Sequence, residues 1–167
     1  ASPALARVAR NVTVEMTPEG LRIAIAEDEG ATFFESGSPN LEHRAEEILA
    51  IVAAELATLP SPVLVEGHTD ARPLHRADGY SNWELSTDRA HQARRLLVAN
   101  GVDESRIEQV RGFADRDLLE RDAPLSPRNR RITITVTDAP AAPHVAPTAL
   151  AEPRNAGPAP PVHGDAT

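Results

Sequence analysis

The sequence contains no cysteine. A disulfide framework and a cysteine-based zinc site are therefore excluded, although an oxidising compartment stays compatible with this composition. Long apolar runs are also missing, since the longest one covers only residues 48–54. A helix needs about 20 apolar residues to cross a bilayer, so the sequence predicts no spanning segment within this chain. Its 167 residues suit one domain with an additional segment.

Positive charge is scarce. The chain has 17 basic against 25 acidic residues, a formal net charge of −8 and a pI near 5.2. Such a surface repels nucleic acid unless a strong local basic patch compensates, and the nearest candidate, Arg128 with Arg130 and Arg131, is too short. We therefore expect no nucleic-acid partner, whereas a largely uncharged polymer that carries zwitterionic groups is compatible with this charge.

The last thirty residues differ from the rest of the chain. Residues 138–167 consist mainly of alanine and proline, include seven of the fifteen prolines and show no apolar periodicity. Proline lacks a backbone donor and fixes φ, so this stretch cannot join the interior of a sheet or helix. The composition predicts a disordered or polyproline-like tail.

The first half of the body predicts a hairpin followed by a helix. Residues 12–16 and 21–25 alternate apolar and polar side chains on either side of a turn sequence, which is typical of a β-hairpin. Apolar residues then recur at helical spacing up to Leu56, and Ser38-Pro39 resembles a helix start. Phe33 and Phe34, between hairpin and helix, are expected to be buried.

The second half predicts a strand, a helix and two more strands. Strands are expected at residues 63–66, 107–111 and 132–136, with a helix from about Leu85 to Asn100 and a helical turn near Leu118 and Leu119. The resulting order β, β, α, β, α, β predicts an α+β fold with both helices on one face of a small mixed sheet. Each strand–helix–strand segment favours a right-handed crossover to a parallel neighbour.

Polar residues cluster at three ends of these elements. They are residues 67–70 after a strand, residues 82–90 at the start of the second helix, and residues 129–131 before the last strand. Right-handed crossovers bring the first two clusters to one rim of the sheet, where ligands bind in such layouts. The rim is therefore the predicted site.

An acid and a guanidinium stand out within these clusters. Arg89 offers a planar fork of donors for a carboxylate, and Asp70 offers a carboxylate for an ammonium. Thr69 and Asn82 can add neutral hydrogen bonds, and the helix N-terminus near Leu85 supplies free N–H groups. The set predicts a receptor for a small zwitterion. The alternative is that Asp70 and Arg89 pair with each other and only hold the loop.

These clusters also form a pattern known from one family. The pattern comprises Gly-His-Thr-Asp at 67–70, Asn-x-x-Leu-Ser-x-x-Arg-Ala at 82–90, Gly101 with Arg106 and Gly112, and Asn-Arg-Arg at 129–131. From about Val63 to Val136 the chain resembles the OmpA-like peptidoglycan-binding domain. Residues 80–86 and 125–132 are similar to the MotB branch of that family.

The resemblance implies a binding role for six residues. Asp70 would bind the ammonium and Arg89 the carboxylate of diaminopimelate in a wall peptide. The pocket would be completed by Thr69, Asn82, Leu85 and Arg130. The resemblance implies neither a catalytic residue nor a cofactor or metal.

The resemblance also implies an architecture and a setting. It implies an OmpA-like βαβαβ core at 41–137, a hairpin and linker at 1–40, and a homodimer in the periplasm. The full-length protein would be anchored in the inner membrane and contact MotA through an N-terminal membrane helix that this chain lacks. The implied function is non-catalytic anchoring of a flagellar motor stator to peptidoglycan. The alternative within the family is an outer-membrane tether of the OmpA or Pal type.

A metallohydrolase is the rival from another functional class. The rival groups His68, Asp70 and His75 as metal ligands, with His43 or His91 added. Their spacing matches no established zinc motif, and Pro73 interrupts the loop between them. This reading is therefore the less favoured one.

Overall fold

Five strands and two α-helices make up the computed structural model, which describes residues 8–137. The strands are β1 (Val12–Thr17), β2 (Gly20–Ala26), β3 (Val63–His68), β4 (Ile107–Gly112) and β5 (Arg131–Val136). The helices are α1 (His43–Leu56) and α2 (Asn82–Ala99), and short 3-10 turns cover Glu104–Arg106 and Pro127–Asn129. Within residues 8–137, neither helix is both long and apolar enough to cross a membrane.

The strands form one mixed sheet in the order β1-β2-β5-β3-β4. Among these strands, β3 and β4, which α2 connects along the chain, pair in parallel. The other pairs are antiparallel. The last strand therefore lies in the middle, where Ile134 faces Ile23 of β2 and Val65 of β3. The predicted α+β fold with a mixed sheet is confirmed. The first crossover differs from the expectation, because β5 separates β2 from the parallel strand β3.

The core lies between the sheet and the helices. Val65 and Ile134 from the sheet are fully buried in one apolar cluster with Ile48 of α1 and Leu97 of α2. Burying each such side chain stabilises the fold by about 1.5–3 kcal/mol. Phe33 belongs to the same cluster, as does Phe34, so the expectation for this aromatic pair is confirmed.

The predicted start of the first helix is wrong by several residues. The helix begins at His43 rather than at Ser38-Pro39. Leu41 forms a β-bridge with Phe34, and the Glu42 N–H donates to the Phe33 carbonyl at 2.8 Å. Extended pairing thus takes up backbone groups that a helical turn would use.

The second helix begins earlier than predicted, at Asn82 rather than Leu85. Ser81 caps it: its hydroxyl accepts from the Trp83 N–H at 3.3 Å, and Glu84 accepts from the Ser81 N–H at 2.8 Å. This Ser-x-x-Glu capping box is a local signal that sequence reading could have used. The predicted free N–H groups near Leu85 are also wrong, because the Leu85 N–H donates to the Ser81 carbonyl at 3.0 Å.

The helical turn predicted near Leu118 and Leu119 is not formed. Residues 113–126 contain turns and bends instead. The side chain of Asn129 accepts from the Glu120 N–H at 2.8 Å and donates to the Ala123 carbonyl at 2.9 Å. One buried amide thus satisfies the loop backbone in place of helical hydrogen bonds.

Two parts of the predicted domain division concern the chain ends. The tail predicted at 138–167 lies outside the described residues, as do residues 1–7. The hairpin assigned to residues 1–40 is hydrogen-bonded to β5 through β2, so it belongs to the same sheet as the rest. A functional boundary at residue 40 stays a prediction.

Candidate functional site

Four chain segments meet at one edge of the sheet. β2 and β3 end there and β5 begins there, because β5 runs antiparallel to both of its neighbours. The residues next to those strand ends are Glu27, Asp70 and Arg130. Helix α2 starts at the same edge, so all three predicted polar clusters converge on it.

Two glycines let α2 lie close against this edge. A Cβ on Gly67 would stand 1.9 Å from the carbonyl oxygen of Ser86, and one on Gly112 would stand 2.1 Å from the Thr87 hydroxyl. Any larger residue at either position would push the helix off β3 and β4. The close approach brings the first turns of α2 beside the loop that carries Asp70.

A cleft of about 250 Å³ opens at this edge. One wall is formed by residues 32 and 34–37, the other by residues 69–70 and 72–74 together with α2. All six predicted site residues line it: Thr69, Asp70, Asn82, Leu85, Arg89 and Arg130. Their role in binding stays a prediction, but the fold does bring them together.

Arg89 is a buried cation with unused donors. Its residue is only 2% exposed, its guanidinium lies 4.0 Å from the centre of the Phe34 ring, and Nε donates to the Ser38 carbonyl at 3.1 Å. Within residues 8–137, its two Nη groups donate no hydrogen bond and no carboxylate oxygen lies within 4 Å. Burial lowers the pKa of Arg89 to about 10, so it stays protonated at neutral pH.

Asp70 pairs with Arg130 and not with Arg89. Its Oδ2 accepts from Arg130 Nη1 at 2.6 Å, and its Oδ1 accepts from the Arg72 N–H at 3.0 Å. The alternative that Asp70 and Arg89 neutralise each other is therefore not what the structure shows. A carboxylate has about four acceptor positions, so Asp70 keeps capacity for a further donor.

Glu27 is a site residue that the sequence analysis missed. It is 1% exposed and accepts from Arg130 Nε at 2.5 Å, so Arg130 bridges two carboxylates. Burial opposes the charge of Arg130, but the contacts with Asp70 and Glu27 outweigh burial and raise its pKa. The sequence did contain a signal for this residue. Glu27 follows Ile23 and Ile25 at two-residue spacing and therefore lies on the buried face of the strand, where a charged residue is unusual.

The other three predicted residues contribute in different ways. The Thr69 hydroxyl is buried and has no hydrogen-bond partner within residues 8–137. Asn82 donates from its side-chain amide to the Arg72 carbonyl at 2.9 Å, which ties α2 to the loop in the same wall of the cleft. Leu85 is buried and supplies apolar surface. The cleft thus combines an unused cation, an acid and an unused hydroxyl on an apolar floor.

The third polar cluster divides between two tasks. Arg131 points to the opposite face of the sheet and pairs with Asp117 at 2.9 Å, whereas its neighbour Arg130 enters the cleft. Alternation along a strand explains the division. Asn129 organises the preceding loop, as described above.

The grouping of His68, Asp70 and His75 that a metal centre would need is not formed within residues 8–137. His68 is buried on the face opposite the cleft and stacks on Phe113 at 5.1 Å, while Asp70 points into the cleft. Burial lowers the pKa of His68 to about 3. Among residues 8–137, no three His, Asp or Glu side chains are grouped to hold a metal ion.

Comparison with known proteins points in one direction. The OmpA family profile matches residues 33–131. Motility protein B of Escherichia coli (strain K12) is 36% identical over 135 residues, which cover 80% of this chain and 44% of that protein. The chain spans between 42 and 62% of the length of the flagellar relatives it matches.

Solved structures share the fold. The cell wall anchor of the T6SS from Pseudomonas aeruginosa is 32% identical with a TM-score of 0.67, covering 80% of this chain and 94% of that one. The periplasmic domain of Helicobacter pylori MotB (residues 90–256) is 21% identical with a TM-score of 0.67, over 83% and 87% of the two chains. The second likeness concerns the fold alone.

Proposed function

This chain belongs to the OmpA family, and we propose that its cleft binds peptidoglycan and so anchors a larger assembly to the cell wall. The domain is non-catalytic, in keeping with its relationship to Motility protein B. The chemical target is the zwitterionic end of diaminopimelate in the wall peptide.

One observation carries this proposal: the Nη groups of Arg89 lie at the cleft and have no hydrogen-bond partner among residues 8–137. A guanidinium with two parallel donors binds a carboxylate in bidentate fashion. Asp70 lies in the same cleft and has acceptor capacity for an ammonium group. An amino-acid zwitterion presents both groups on one carbon, which fits an acid and a guanidinium that line one small cleft.

Weak binding at each site follows from the size of these contacts. A hydrogen bond to a charged group contributes about 1.5–3 kcal/mol, so two such contacts correspond roughly to a dissociation constant between tens of micromolar and several millimolar. A homodimer on one polymer would bind far more tightly, because the second contact becomes intramolecular. We propose that the protein acts as a homodimer for this reason.

The finer proposal is that the anchored assembly is a flagellar motor stator. The relationship to Motility protein B supports it. The full-length protein would then sit in the inner membrane with this domain in the periplasm and with MotA as its partner. The alternative, a tether of another envelope assembly, is supported by the likeness to the T6SS wall anchor. Motility is the readout that separates them.

The binding proposal is tested by sedimentation with purified wall sacculi. We expect the protein to sediment with walls that contain diaminopimelate and to be released by free diaminopimelate. Walls whose peptides carry lysine offer an ammonium without its neighbouring carboxylate, so we expect little retention on them. Asp70→Asn, which keeps the shape but not the charge, should weaken retention about tenfold. Equal retention on both walls would refute the proposed ligand.

The stator proposal is tested by a chimera. Residues 8–137 would replace the matching periplasmic part of Motility protein B in a non-motile Escherichia coli strain. Restored swimming supports the stator role. Wall binding without swimming would favour the tether.

A further inference from the structure

We propose that Glu27 is a positioning residue for the cleft, because its buried carboxylate couples the wall segment, residues 32–38, to Arg130. Ligand affinity would then depend on how that segment docks against the sheet. The inference rests on the proposed binding function and adds to it a buried residue in the lining of the cleft that acts through Arg130 and Phe34.

The contacts of Glu27 reach both sides of the cleft. Its Oε1 accepts from the N–H groups of Phe33 at 2.9 Å and Phe34 at 3.1 Å, and its Oε2 accepts from Arg130 Nε at 2.5 Å. The carboxylate is 1% exposed, so water does not compete for these bonds. One side chain thus holds both the backbone of the wall segment and Arg130, which in turn pairs with Asp70 in the opposite wall.

The wall segment in turn holds Arg89. Phe34 lies under its guanidinium and the Ser38 carbonyl accepts from its Nε, and both belong to the segment that Glu27 anchors. The nearby charge of Glu27 also opposes the effect of burial on the pKa of Arg89. Arg130 is therefore positioned directly by Glu27, and Arg89 is positioned through Phe34.

Glu27→Gln is the sharpest variant. A glutamine oxygen can still accept from the Phe33 and Phe34 N–H groups, but its NH₂ group would face Arg130 Nε–H, donor against donor. Glu66→Gln is the matched control, since Glu66 is also buried and paired with an arginine, Arg111 at 2.9 Å, on the opposite face. Both variants lose a buried charge, but only one touches the cleft.

The experiment titrates each purified protein with diaminopimelate and with wall sacculi. We expect Glu27→Gln to bind both probes about tenfold more weakly, and Glu66→Gln to bind within about twofold of the original protein. Glu27→Asp keeps the charge but is one methylene too short to reach all its partners, so it should also weaken binding. Unchanged affinity in both Glu27 variants would overturn the inference. Losses of equal size in Glu27→Gln and Glu66→Gln would overturn it too.

A readout without ligand separates this inference from the proposed function. NMR would follow the Nε–Hε signal of Arg130 and the amide exchange of Phe33 and Phe34. We expect a shifted arginine signal and faster exchange in a folded Glu27 variant, and neither change in Glu66→Gln. If the original protein bound neither probe, the binding function would fail, while these signals would still decide whether Glu27 positions the cleft. Unaltered signals would overturn the positioning role.

Discussion

Arg89 and Arg111 lie on opposite faces of the sheet and differ in how their charges are balanced. Arg111 donates to Glu66 at 2.9 Å, to Glu19 at 3.2 Å and to Gln109 at 2.7 Å. Arg89 is more deeply buried, yet within residues 8–137 its hydrogen bonds go to a single backbone carbonyl. The cation with the greater need for partners has fewer of them.

This difference separates a structural ion pair from a binding group. A buried charge without a partner costs free energy, and a buried pair becomes costly when one partner is removed. Arg111 therefore stabilises the fold by balancing Glu66. Arg89 retains donors that a ligand carboxylate can use, at some cost to stability. The two arginines should respond in opposite ways to the same substitution.

The largest effect is expected for Arg111→Met. This change leaves Glu66, whose side chain is 4% exposed, without its cation. The free energy of unfolding should fall by about 3 kcal/mol, the lower end for breaking a buried pair. Urea unfolding measures this loss, and wall binding of the folded protein should not change. A matching loss of affinity would mean that the two faces are coupled.

Arg89→Met should weaken ligand binding and leave stability nearly unchanged. Methionine keeps an unbranched apolar stem near Phe34 but removes the charge that would bind a carboxylate. We expect affinity for diaminopimelate to fall about 30-fold, or about 2 kcal/mol. The free energy of unfolding should stay within about 1 kcal/mol or rise, because the substitution removes a buried charge that has no ion-pair partner among residues 8–137. A fall as large as that of Arg111→Met would contradict the comparison.

A smaller effect on stability is expected when pH is lowered, and it comes from His68 on the face opposite the cleft. Burial, then the charges of Arg131 and Arg22, lowers the pKa of His68 to about 3 from 6.5. Between these values the unfolded chain binds more protons than the folded one, so stability falls as pH falls. Protonation of His68 in the unfolded chain should lower the free energy of unfolding by about 1 kcal/mol between pH 6.5 and 5.5. His68→Phe, measured by urea unfolding at both pH values, should lack that loss, and parallel changes would refute the assignment.

Local patterns predicted much of the architecture. The alternation around residues 12–25 specified the hairpin, and the strand–helix–strand pattern that includes α2 specified a parallel pair. Four candidate residues, Thr69, Asp70, Asn82 and Arg89, were found because polar side chains follow a strand end or open a helix. Leu85 and Arg130 were added by the resemblance to the OmpA-like family. The early start of α2 was also readable, in the capping box of Ser81 and Glu84. The late start of α1 could not be predicted from local sequence, because it depends on a β-bridge between Phe34 and Leu41.

By itself the sequence determined the types of element, their order and the polar residues at their ends, since these follow from contacts between near neighbours. Only the tertiary structure decided which charges meet. Inserting β5 between β2 and β3 places Arg130 against Glu27, 103 residues away along the chain, and beside Asp70. That insertion leaves Arg89 without an acidic partner within the described residues. Strand order arises from packing the whole sheet, and no local pattern encodes it.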